Sequence, residues 1–466
     1  MQLKKGQIIE IEIEKLAFGG AGIGKFENRP VFIKQTIPGD LVKASLRKIK
    51  EKYMEAQLEE IIKKSKSRVD AKCPHFDKCG GCQFQSMPYD MQLSIKKQHV
   101  IDSFERIGKI SNPPVKEVIG CKDPYFYRNK MEFSFGFDEN MEFALGLHLP
   151  GRRYDILDLD QCYLQSEFST EIVNTVRDFC LKHNWEPRKY SAETGYLKSL
   201  FIREGKRTGE VMINLVTSDE VPDSFKEELK YFCVELLKLN SRNIEGEKKI
   251  SSIYWSRKIA RRGIPSRIEE THLYGKKTLT EKMVLSNGDE LCFDISPQAF
   301  FQVNTFQAEI LYSQIVELVA KDSHQHAFDL FCGTGTIGLF LAKHVENVLG
   351  VELNQSAIDS AKVNATRNNI FNVDFFVGSV VKVLQNVRDR PSLIVVDPPR
   401  AGLTQKLISK ISQFDSSKVI YVSCNPATLA RDCNWFSEYG YKLKSAQPVD
   451  MFPHTYHIEN VCLLER

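Results

Sequence analysis

From Leu291 onward the chain repeats one pattern: short apolar runs at 327–331, 347–351, 373–377, 393–396 and 419–422, separated by helical stretches. Continuous apolar runs of this length suit strands buried on both faces. Alternated with helices, they predict a doubly wound, mostly parallel α/β sheet whose ligands bind at the carboxyl ends of the strands. The first run leads through Asp329, Leu330, Phe331 and Cys332 into Gly333-Thr334-Gly335-Thr336-Ile337-Gly338, a strand entering a glycine turn that opens a helix. Glycines there permit a tight turn and close approach of a ligand to the backbone. Glu352 ends the next run, where an acid can accept both hydroxyls of a ribose.

Two features favour S-adenosylmethionine over a nicotinamide cofactor. Asp329 precedes the turn, and the fourth run ends in Asp397-Pro398-Pro399-Arg400, whose prolines fix φ and build a wall instead of continuing a sheet. The fifth run carries Ser423-Cys424-Asn425-Pro426, setting a thiol at a strand end on the face where the cofactor is expected. A lone cysteine is ordinarily a small buried hydrophobe. Here it suits covalent catalysis: a thiolate adding to C6 of uracil makes an enolate whose C5 can attack a sulfonium methyl group. Such a thiolate calls for surroundings that lower its pKa. The C5 proton must then leave to a general base. The segment 450–459 offers His454, His457 and Glu459, and the chemistry alone does not choose among them. An exocyclic-amine methylase would instead favour an aromatic residue where Arg400 stands, and would have no use for the thiol.

At 466 residues the chain exceeds one ordinary core. Its net charge is only +4, but residues 1–72 carry 16 Lys+Arg against 10 Asp+Glu, a distribution suited to a phosphate-backbone partner. Runs at 7–13, 29–33 and 40–49 around the glycine-rich stretch 18–24 predict a small oligonucleotide-binding type of barrel. No Lys-Ser/Thr signature follows those glycines, which excludes a nucleotide P-loop. A basic linker, 64–72, leads to Cys73, Cys79 and Cys82, then to a helix over 91–107 and a hairpin over 127–147, whose aromatic residues are read mainly as packing. Three domains are expected: 1–63 a barrel, 64–290 a central α+β domain with the cysteines, and 291–466 the doubly wound domain. With no secretory-type leader and no apolar run of membrane length, the expected compartment is the cytoplasm, with reduced thiols, no membrane and no obligatory protein partner. Three clustered thiols need a fourth ligand, from Cys162 or Cys121, and zinc and a [4Fe–4S] centre both accept four thiolates.

Together these motifs resemble the RNA (uracil-5-)-methyltransferase family, in its 23S rRNA branch, over essentially the whole chain. The resemblance implies that 1–63 is a TRAM domain and that Cys73, Cys79, Cys82 and Cys162, the last in Asp160-Gln161-Cys162, hold a [4Fe–4S] cluster. It implies that Gln302, Phe331, Glu352 and Asp397 contact S-adenosylmethionine, that Cys424 is the nucleophile and that Glu459 is the catalytic base. Ser379 stands where many members carry Asn or Asp. Relatives acting on tRNA look shorter and usually lack barrel and cluster, so the implied substrate is 23S rRNA, with tRNA as the alternative. A non-catalytic ribosome-assembly factor is a further alternative, but it would not need a strand-end thiol, a base and a ribose-binding acid together. The target uridine is expected single-stranded or flipped out of its stack.

Overall fold

The computed structural model describes residues 3–152, 154–189, 194–242, 248–260, 266–320 and 325–466. Its strands form three large sheets in succession along the chain, with a two-stranded ribbon between the second and third.

The first sheet has the order Ile8–Glu12, Leu41–Ile49, Met54–Lys63, Arg29–Ile33, Gly22–Phe26 and Lys15–Leu16. Strict alternation buries Ile9 and Ile11 against Val31, Ile33, Val42, Leu46 and Met54 and turns the intervening glutamates outward. The sheet curls tightly: a Cβ on Gly24 would lie 2.3 Å from the Glu12 carbonyl oxygen, so only glycine lets these two strands approach. Part of the predicted glycine turn is thus strand. Met54–Lys63 was not anticipated, because three glutamates and a glutamine break its apolar pattern on the outward face.

The central sheet runs Arg267–Gly275, Lys249–Ile259, Glu210–Ser218, Leu197–Glu204, Lys130–Phe137, Phe143–His148 and Ile156–Asp158. The helices Glu167–Lys182 and Phe225–Arg242 bring Ile172, Val176, Phe232 and Leu236 onto Ile202, Ile213 and Leu215 in a single core.

All five apolar runs of the third sheet are strands. Its order is Val373–Val377, Asn347–Glu352, His326–Leu330, Leu393–Val396, Lys418–Ser423, Glu459–Glu465 and Lys442–Val449. The first five are parallel, whereas Glu459–Glu465 pairs antiparallel with both of its neighbours. Ahead of the central sheet, the helix Tyr89–Arg106 leaves its neighbours in sequence and packs on the helix Pro426–Ser437 of the third unit. Among the described residues no helix is long and apolar enough to cross a membrane.

Candidate active site

The strand His326–Leu330 ends at Phe331, which takes a left-handed φ of 68°, and the chain turns through Gly333 (φ 53°) and Gly335 (φ 79°) into the helix Thr336–Leu341. The two glycines differ in purpose. A Cβ on Gly335 would lie 2.7 Å from the Phe375 ring, whereas one on Gly333 would meet open space. Gly335 is therefore required by packing, and Gly333 keeps room beside the turn. Buried Asp329 accepts the Gly338 N–H at 2.7 Å, tying strand to helix, and burial pushes its carboxyl up to about 7. Glu352 accepts the N–H groups of Gly333 (3.3 Å) and Asn354 (2.9 Å), which holds its carboxylate at the mouth of the turn beside the exposed side chain of Leu353. An acid, an exposed apolar neighbour and an open glycine fit the ribose and base of an adenosine group.

Gln302 lies in the segment entering the helix Thr305–Val319. Asn129 anchors that segment, donating to the carbonyls of Gln302 and Val303, each at 2.7 Å, and to the Thr305 hydroxyl at 2.9 Å. The Thr305 hydroxyl in turn donates to buried Glu281 at 2.8 Å. The Thr334 hydroxyl donates to the Phe300 carbonyl at 3.4 Å, so the Gln302 segment lies against the glycine turn.

Cys424 follows the strand Lys418–Ser423. The ladder pairs Ser423 with Asn460, so the next step sets Cys424 across from Glu459. Asn425 caps the following helix by accepting the Ala427 N–H at 3.1 Å and donates its amide to the Arg400 carbonyl at 3.0 Å. The Asn-Pro after the cysteine thus fastens the loop from Asp397 to Arg400. These groups share one electrostatic environment. Burial pushes the Cys424 thiol up to about 11, the charges of Glu459 and Asp397 push the same way, and Arg400 opposes them by charge and hydrogen bond. The expectation of a lowered thiol pKa is therefore corrected: two carboxyls and desolvation outweigh a single guanidinium. Buried Glu459 is itself held well above the carboxylate range, by burial and then by Asp397, against Arg400. Burial raises Asp397 to about 7.

The two histidines differ from Glu459. Both are pushed down to about 4, by burial first and then by cations: Lys96 beside His454; Arg400, Lys96 and Arg128 beside His457. His454, at φ 63°, works as a clamp. Its N–H donates to Gln92 Oε1 at 3.1 Å, its Nδ1 lies 3.2 Å from Gln92 Nε2, and its carbonyl accepts from Gln83 (2.8 Å) and Phe84 (3.0 Å).

Gln83 directly follows the clustered cysteines. Cys73, Cys79, Cys82 and Cys162 line one small cavity together with Gln85 and Leu164. Cys121 does not join them; it is buried beside Tyr127, and its thiol donates to the Asp123 carbonyl at 3.2 Å. Burial, with the charge of the neighbouring thiols added, pushes Cys79 up to about 11 and Cys82 to about 12. Among the described residues no three His, Cys, Asp or Glu side chains converge closely enough to hold a single metal ion. Ser379 starts the short helix Val380–Leu384 with no capping bond from its hydroxyl.

Sequence reasoning missed Arg400 as a neighbour of the sulfur, and Asn129 and Gln92 as anchors. The first could have been suspected from its place after Pro398-Pro399; the other two carry no local signal.

Residues 247–466 match the family profile described as tRNA (Uracil-5-)-methyltransferase, and residues 2–58 match the TRAM domain profile. A relative from Caldanaerobacter subterraneus subsp. tengcongensis, described as an uncharacterized RNA methyltransferase, is 37% identical over 466 residues and covers 100% of both chains. Another with the same description, from Clostridium acetobutylicum, is 36% identical over 471 residues, covering 100% of this chain and 98% of its own. Among solved structures, the Pyrococcus abyssi tRNA (uracil-54, C5)-methyltransferase in complex with S-adenosyl-L-homocysteine superposes with a TM-score of 0.75 at 27% identity. That match covers 98% of this chain and 100% of the other.

Proposed function

The chain belongs to the tRNA (uracil-5-)-methyltransferase family, with a TRAM domain and S-adenosylmethionine as its cofactor, and from that premise we propose that it methylates C5 of a uridine in 23S rRNA through a covalent bond from Cys424. The observation that carries this reading is the meeting of Cys424, Glu459, Asp397 and Arg400 at the ends of neighbouring strands.

In this reading the Cys424 sulfur adds to C6 of the uracil, and the electron pair of the C5=C6 bond becomes available at C5. S-adenosylmethionine supplies the electrophilic methyl group. Gln302, Phe331, Glu352 and Asp397 hold the cofactor, Glu352 through the ribose. Arg400 favours the thiolate by its charge. Glu459, once it has given up its own proton, takes the proton from C5; the double bond re-forms as the sulfur leaves C6, and loss of the acquired proton to solvent regenerates the enzyme. His454 is engaged by Gln92, Gln83 and Phe84, and the family resemblance, not the histidines' charge state, gives the proton transfer to Glu459.

Cys73, Cys79, Cys82 and Cys162 would hold a [4Fe–4S] cluster. What supports this reading is that the four thiols line one cavity, the number of thiolates such a centre takes. Metal binding deprotonates a thiol outright, which offsets the raised pKa values there. Iron and sulfide analysis with an anaerobic absorption spectrum checks this. The division of labour follows the sequence: 1–63 engages RNA, 64–290 carries the cluster and 291–466 performs the chemistry, in the cytoplasm.

The choice of large-subunit rRNA follows the branch that the sequence motifs resemble. The full-length match to a tRNA enzyme favours tRNA as a second reading, because chain length does not separate the two. Unmodified 23S rRNA and tRNA transcripts, each incubated with enzyme and labelled cofactor, decide between them by nucleoside analysis. We expect 5-methyluridine in 23S rRNA. RNA containing 5-fluorouridine should leave a denaturation-resistant adduct on Cys424, and absence of adduct and product with either RNA overturns the proposal.

A further inference from the structure

A path of alternating aromatic and cationic side chains leads from the cysteine cavity to Cys424. At its far end the Lys72 ammonium lies 5.0 Å from the ring centroids of Tyr125 and Phe126 and 4.9 Å from that of Tyr163. Tyr125 in turn lies against His454, ring centroids 4.3 Å apart and planes tilted by 34°. Nearer the thiol, the Arg128 guanidinium sits 5.9 Å from the Phe452 ring, which meets His457 at 5.7 Å. Arg128 and Arg400 both bear on His457, and Arg400 also on the sulfur. Lys72 and Arg400 are exposed; Tyr125, Phe126, Tyr163, Phe452 and His457 are half-buried, and His454 is buried.

Packing alone gives a poor account of the far end. Phe126 is held at φ 55°, an unfavourable backbone for a bulky residue, by its N–H bond to the Tyr163 carbonyl (2.8 Å) and by Lys206 Nζ on its own carbonyl (3.0 Å). The outcome of that strain is a third ring brought to one partly open spot. The spot terminates the basic stretch 64–72, and its present occupant is a flexible surface cation. A ring face that attracts an ammonium also stacks a nucleobase, and the displaced lysine is then free for a phosphate.

We propose that Tyr125, Phe126 and Tyr163 form a stacking platform for a nucleotide flanking the target uridine, with Lys72 passing from the rings to the RNA backbone as the strand arrives. This rests on the reading that the substrate is RNA, and it adds where a single strand lies beyond the catalytic pocket. Stacking on rings tolerates any base, while the cations between them neutralise phosphates, so the path contributes affinity and leaves sequence choice to other contacts.

The test uses the full-length protein with a Phe126→Gly/Tyr163→Ala double variant; glycine removes the ring and tolerates the positive φ. Binding of a fluorescein-labelled short oligo(A) should weaken about tenfold or more, and KM for the methylated transcript should rise in step with kcat unchanged. Tyr163→Trp, which keeps a ring, should retain affinity, and Lys72→Ala should lower the salt slope of binding by about one phosphate contact. Circular dichroism should match the wild type. Oligo(A) affinity within about twofold of wild type in the double variant overturns the platform, as does lost thermal stability with affinity kept, which would make the cluster a clasp for the linker. A wild-type enzyme that methylates no transcript sinks the catalytic reading instead, and the oligo(A) comparison still decides the platform.

Discussion

Around the sulfur of Cys424, burial and the two nearby carboxyls oppose ionisation, and one guanidinium favours it. With the thiol held up to about 11, thiolate is scarce at neutral pH and grows as pH rises toward that value. Alkylation of Cys424 by iodoacetamide in the isolated enzyme should therefore climb about tenfold per pH unit above pH 7. A plateau reached near the ordinary thiol range would contradict that environment. Arg400→Ala removes the favourable charge and should slow alkylation further at any pH below the plateau. Glu459→Gln separates the steps differently. Addition and methyl transfer need no carboxylate at this position, but release does, so a methylated RNA–protein adduct should accumulate on a denaturing gel while turnover falls about a hundredfold or more. A variant that turns over normally assigns the proton to another group.

At the scale of elements, the glycine turn allows a graded comparison. Gly333→Ala meets only backbone strain, about 1 kcal/mol, whereas Gly335→Ala adds a collision with Phe375 and should cost about 2–4 kcal/mol in urea melts. Equal costs would mean that Phe375 yields freely. Gln92→Leu strips the clamp from His454 and leaves buried backbone groups unpaired, with an expected loss of about 1–3 kcal/mol. The same elements show what the sequence could and could not reveal. The five parallel strands were legible because each reads as a short, largely apolar run; the inner four are largely buried, whereas the edge strand Val373–Val377 buries only Phe375. Lys442–Val449 was not, since it mixes lysines, a serine, a glutamine and a proline. Cys424 and Glu352 stood out through their places at strand ends. The Gln92–His454 clamp joins positions 362 apart, and Asn129 reaches Gln302 across 173, so neither left a local trace. The direction of the Cys424 pKa was misjudged because its burial, the main cause, and then the charge of sequence-remote Glu459 are set by tertiary packing.

For the whole molecule, the helix Tyr89–Arg106 acts as a bolt between the cysteine-bearing region and the catalytic unit. Lys96, fully buried, meets Asp450 at 2.6 Å and the Phe452 carbonyl at 3.0 Å, while the Tyr89 hydroxyl donates to the other Asp450 oxygen at 2.8 Å. Lys96→Met strands a carboxylate in the interior and should cost about 3–5 kcal/mol, read as a lowered denaturant midpoint. Lys96→Met with Asp450→Leu should recover much of that loss, because the pair's own desolvation disappears with it. If the double variant is no better than the single one, the pair is needed for geometry and not only for charge balance.

The strand Glu459–Glu465 slots between Lys418–Ser423 and Lys442–Val449, although it is made after both. Until it threads into that gap, the sulfur lacks the Glu459 carboxyl across the ladder, and on the proposed mechanism the chain would hold the nucleophile without its base. On the proposed mechanism, the pairing of that one strand therefore brings nucleophile and base together.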